Sequence, residues 1–78
     1  MREVVLFTRE GCSLCEKAKA AILRVRREVP FLFREVDIGW SGDLYEDHKH
    51  DIPVVEIDGR RAFKHRVDVE ALRERLSS

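Results

Sequence analysis

The chain has 78 residues, 38% of them Asp, Glu, Lys or Arg, and its 15 basic and 15 acidic side chains cancel to a net charge of zero. That length fits one small domain, residues 1–78, leaves no room for a second, and buries only about 60% of the surface the unfolded chain exposes. Balanced charge without long blocks of one sign argues against nucleic acid or an anionic membrane as partner, and no apolar run approaches the roughly 20 residues a spanning helix needs.

Met1-Arg2-Glu3 leads straight into the apolar run Val4-Val5-Leu6-Phe7, read as the first strand. No charged segment followed by an apolar stretch and a small-residue cleavage site precedes it, so the chain reads as cytoplasmic. Next comes Cys12-Ser13-Leu14-Cys15, which holds the only two cysteines. Two thiols at this spacing interchange dithiol and disulfide with little backbone movement, and on a strand-to-helix turn they read as a redox site. In a reducing compartment such a pair is catalytic, redox-sensing or metal-binding more often than a permanent staple, a structural disulfide being the plainer alternative. Leu14, Ala18, Ala21, Ile22, Val25 and Val29 recur at three- and four-residue steps, predicting one apolar stripe on a helix that starts near Cys12 and stops before Pro30. Glu16 near its start and Arg24, Arg26 and Arg27 near its end complement the helix dipole.

Residues 31–36 open with the apolar triplet Phe31-Leu32-Phe33 and predict a second strand, joined to the first as a right-handed parallel βαβ unit with the first strand central. Residues 41–51 predict a short, weakly amphipathic helix with Ser41 as its cap and Leu44, Tyr45 and Ile52 turned inward. Trp40, in a loop with Gly39 and Gly42, and Tyr45 read as packing under that loop in preference to an apolar rim for a substrate. Val54–Ile57 and residues 60–63 flank Asp58-Gly59, which suits a two-residue type I′ hairpin. The last helix opens at Asp68, with Val67 stapled onto Leu72 and Leu76 continuing the buried face. The order β-α-β-α-β-β-α predicts an α/β fold: a four-stranded mixed sheet with helices on both faces.

A strand followed by Cys12-Ser13-Leu14-Cys15, then Ile52-Pro53-Val54-Val55, then the Asp58-Gly59 hairpin resembles the thioredoxin fold, most closely its glutaredoxin-like branch. The resemblance covers nearly the whole chain and implies a thiol-disulfide oxidoreductase in which Pro53 forms a cis peptide beside the cysteines. It also implies a glutathione site built from a basic residue ahead of the nucleophile, backbone beside the cis proline and a Gly-Gly turn before the last helix. Arg9 matches the first element and Ile52 with Pro53 the second. Lys64-His65-Arg66-Val67-Asp68 replaces the Gly-Gly-x-Asp-Asp pattern, leaving only Asp68 in place. The Pro-Tyr insert common in glutaredoxins, the Trp-Cys-Gly-Pro-Cys of thioredoxins and the Gly-Phe insert of cluster-binding members are each absent between or around these cysteines.

Independently of family, a thiol at a helix N-terminus meets amide donors and partial positive charge, which moves its pKa from about 8.5 toward the range of roughly 3.5 to 7.5. Cys12 is thus the expected nucleophile, with Arg9 three residues before it adding positive potential. Cys15, one turn in and on the Ala18 face, is the expected resolving thiol. Arg9, Ser13, Leu14, Ile52, Pro53 and Asp68 complete the expected substrate-binding set. His48, His50 and His65 lack zinc-finger spacing, and His48 and His50 read as solvated or helix-capping groups, so no metal is expected. Lys64, His65 and Arg66 either meet an acidic substrate group or are simply solvated. The expected protein acts as a monomer on a protein or small-molecule disulfide, binds no cofactor, and has glutathione or a reductase as a candidate recycling partner. Glutathione-dependent deglutathionylation and a redox-responsive binding module without turnover stay open beside it.

Overall fold

The computed structural model describes residues 1–77. Val4, Val5, Leu6 and Phe7 are all buried, which requires a strand covered on both faces and flanked on both sides. The first strand, β1 (Glu3–Thr8), meets that requirement: it runs parallel to β2 (Leu32–Asp37) and antiparallel to β3 (Val54–Ile57), which pairs antiparallel with β4 (Arg60–Lys64), giving the order β2-β1-β3-β4. Alternation along β1 and β3 divides the core. Val4, Leu6, Val55 and Ile57 face α1 (Ser13–Arg26) and α3 (Val69–Ser77), whose Ala18, Ile22, Val25, Leu72 and Leu76 close that side. Val5, Phe7 and Val54 face the other way, against Ile38, Ile52 and Tyr45 of α2 (Asp43–His48). The α/β fold with a four-stranded mixed sheet and helices on both faces is therefore as the sequence predicts.

The local signals explain why the elements start where they do. Asp58 and Gly59 both hold positive φ, +52° and +83°, as a type I′ turn demands. Asp58 adds a tether: one carboxylate oxygen accepts the Glu3 amide at 2.9 Å and the other accepts Arg2 Nε at 3.0 Å. The Glu3 amide, then the Arg2 guanidinium, hold this carboxyl below its ordinary pKa. At α3, Asp68 accepts the Ala71 amide at 3.0 Å, so the cap forms, and Val67 packs on the core cluster that contains Leu72.

Five expectations need correction. The second strand begins at Leu32 rather than Phe31 and lies at the sheet edge, so Leu32 is 52% exposed while Phe31, just before it, is buried. The second helix is only Asp43–His48. Its N-cap position is Gly42 at φ +95°, not Ser41, because a positive φ there suits glycine and leaves no side chain to cap. Tyr45 and Ile52 turn inward, but Leu44 is exposed. Leu14, read as part of the buried stripe, is 37% exposed, since the core cluster on that face begins at Ala18.

Candidate active site

The loop from β1 into α1 turns at Gly11, whose φ of +82° is costly for any residue with a Cβ. The Cys12 amide then donates to the Arg9 carbonyl at 3.3 Å, leaving Cys12 extended (φ −95°, ψ 107°) as the N-cap of α1. Serine, threonine, aspartate or asparagine usually caps this position with an oxygen. Here the acceptor is sulfur: Cys12 Sγ takes the Cys15 amide at 3.1 Å. Cys12 and Cys15 form a disulfide with Cα atoms 5.2 Å apart. The two sulfurs are not equivalent in access, because Cys12 is half-buried while Cys15 is 2% exposed.

Around this pair the predicted residues are distributed unevenly. Ser13 is the exposed first residue of α1, and Leu14 lines a groove of about 210 Å³ with Lys17, Ala18, His65, Arg66 and Val67. Ile52-Pro53 is a cis peptide, Pro53 is fully buried, and its carbonyl accepts the His65 amide at 2.7 Å, tying the proline to the segment that forms the groove wall. Asp68 is occupied as the α3 cap. Arg9 lies with its guanidinium 4.0 Å from the Trp40 ring centroid and 5.8 Å from that of Tyr45, an arrangement that holds the cation by the ring quadrupoles. Trp40 is 69% exposed, so it does not pack under its loop as expected; it stands out from the surface with Arg9 against it.

His65 carries information that the sequence pattern only half disclosed. Its φ is +67°, and the Arg66 amide donates to the Lys64 carbonyl at 2.7 Å, a γ-turn with a non-glycine centre. A positive φ that glycine adopts freely is thus held by a histidine, at a cost of order 1–3 kcal/mol for the strained residue. Its side chain helps fix the turn, with Nε2 2.9 Å from the His50 carbonyl oxygen. His48, half-buried in the last turn of α2, stacks on Phe7 with ring centroids 4.5 Å apart. Lys17 and Val67 were missed as groove residues; the available signal was that Lys17 follows Leu14 by one helical turn. Among the described residues there is no group of three or more His, Cys, Asp or Glu able to hold a metal ion.

The family model for the glutaredoxin-like domain (DUF836) matches residues 3–77. This chain belongs to that glutaredoxin-like family. A glutaredoxin-like protein of Dictyostelium discoideum, described as a YDR286C homolog, is 40% identical over 72 residues, 85% of this chain and 67% of that protein. Among solved structures, protein XcR50 of X. campestris is 26% identical with a TM-score of 0.79, the match covering 95% of each chain. Protein Ne2328 of Nitrosomonas europaea is 22% identical with a TM-score of 0.80, covering 96% of this chain and 91% of that one. A thioredoxin mutant from Halobacterium salinarum is 14% identical with a TM-score of 0.72, covering 97% of this chain and 72% of that one, which shows a shared fold. A glutaredoxin-like chain with a thioredoxin fold and a Cys12–Cys15 disulfide at a helix N-terminus is equipped for thiol-disulfide redox chemistry.

Proposed function

We propose that this glutaredoxin-like protein is a cytoplasmic, monomeric thiol-disulfide oxidoreductase in which Cys12 attacks and Cys15 resolves. The observation that carries this reading is the 3.1 Å hydrogen bond from the Cys15 amide to Cys12 Sγ on the accessible sulfur of the pair. A donor aimed at sulfur favours the thiolate over the thiol, and the start of α1 supplies partial positive charge beside it. The Cys12 thiolate attacks one sulfur of a substrate disulfide, forming a mixed disulfide and releasing one substrate thiolate. Cys15, deprotonated, then attacks Cys12 Sγ and releases the second. The substrate gains two electrons and two protons; the protein ends as the Cys12–Cys15 disulfide, and an external thiol or dithiol donor returns it to the dithiol. Under this reading exposed Leu14, the Ile52-Pro53 backbone and Arg9, which stacks on Trp40, belong to the substrate approach to Cys12.

The test compares wild type and Cys15→Ser on a protein disulfide and on a glutathionylated peptide, with a dithiol donor present. Wild type is expected to turn over the protein disulfide with that donor, and Cys15→Ser, once reduced and freed of donor, to accumulate a mixed disulfide at Cys12, seen by mass. Full activity of Cys15→Ser on the glutathionylated peptide would replace this reading with monothiol glutathione chemistry. Wild type inactive on both substrates would make the chain a redox-responsive binding module.

A further inference from the structure

The net charge is zero, yet positive charge is gathered beside the redox pair. Lys17, His65 and Arg66 line the groove with Leu14, and Lys64 precedes His65 in the chain. Several other cations are matched with carboxylates: Lys19 with Glu35, Lys49 with Glu46, Arg61 with Asp51, and Arg73 with Glu28 and Glu70. Within the described residues Lys17, Lys64 and Arg66 enter no ion pair. The carboxylate next along the chain, Asp68, is turned to the Ala71 amide as the α3 cap. The groove wall is also set by a strained turn, His65 at φ +67°, held by the Pro53 and His50 carbonyls. Backbone outliers of this kind persist where the surroundings over-determine them, and they cluster at binding sites.

We propose that this groove selects disulfides carried by acidic polypeptide segments, Lys17 and Arg66 taking carboxylates that flank the substrate cysteine. The proposal rests on the oxidoreductase reading and adds its substrate class. Charge complementarity picks the sign of the ligand. A polypeptide fits better than a small thiol because the surface around Cys12 extends both ways: Arg9, whose carbonyl accepts the Cys12 amide, carries exposed Trp40, and Leu14 opens the cationic groove.

The experiment measures kcat/KM for three peptide disulfides of equal length, with Glu, Gln or Lys flanking the cysteine, and for oxidised glutathione, using wild type and the double variant Lys17→Gln, Arg66→Gln. Wild type is expected to prefer the Glu peptide over the Gln peptide about tenfold, and the Lys peptide to be slowest. The preference should shrink as salt rises from about 0.02 M to about 0.5 M, and the double variant should level the three rates. Equal wild-type rates on the three peptides would overturn the proposal while leaving the oxidoreductase reading intact. Reduction of none of them would remove both. Oxidised glutathione outpacing the Glu peptide, with that lead lost in the double variant, would overturn it by making the groove a glutathione site.

Discussion

Cys12→Ser is expected to lose disulfide-reductase activity by about a thousandfold or more while keeping the fold, because a serine hydroxyl is not ionised near neutral pH and is a far weaker nucleophile than a thiolate. The stability side of this prediction follows from the cap. Cys12 opens α1 by accepting the Cys15 amide, and serine is among the preferred residues for that position. Reduced wild type and Cys12→Ser should therefore unfold at nearly the same urea concentration. A variant that reduced peptide disulfides as fast as wild type would remove Cys12 from the role of nucleophile. A variant that was inactive because unfolded would instead show that the thiol cap is irreplaceable.

Leu72→Ala is expected to cost about 3–5 kcal/mol, the range for deleting a fully buried leucine side chain that leaves a cavity behind. Leu72 is 0% exposed and closes α3 onto the cluster formed by Val4, Leu6, Ile22 and Val55. A chain of 78 residues has a total stability of order 4–12 kcal/mol, so this one change consumes a large part of it. Urea unfolding should show a midpoint far below that of wild type, or no folded baseline. Leu14→Ala is the matched control, since Leu14 is 37% exposed and outside that cluster. It should cost less than about 1 kcal/mol. Similar costs for the two leucines would contradict the division of α1 into a core stripe and a groove-facing first turn.

That division marks where the sequence stops being readable. Ala18, Ile22 and Val25 are buried as their spacing predicts, because helical periodicity reports a face and the sheet covers that face along the middle of α1. Leu14 continues the same period, but whether the covering surface extends one turn further is a tertiary fact. The Asp58-Gly59 turn and the Asp68 cap were legible for the opposite reason: each depends on backbone φ or on a hydrogen bond within a few residues. Six-residue α2 has too few turns to show a period, and its start at Gly42 lacks the side-chain signal that Ser41 offered. At the site, the unequal cysteines were visible from their place on the helix. The partnership of Arg9 with Trp40 was not, since residues so far apart in sequence meet only through the fold. Lys64-His65-Arg66 looked like the loss of a glycine turn; the backbone nonetheless takes a positive φ there, at His65, and the segment lines the groove with charge.

The most direct measurement is the pH dependence of alkylation of the fully reduced protein, with the modified residue located by peptide mapping. A mechanism led by Cys12 predicts that Cys12 reacts first, with an apparent pKa between roughly 3.5 and 7.5, while Cys15 stays largely unmodified. An apparent pKa for Cys12 at or above about 8.5, or faster alkylation of Cys15, would contradict it.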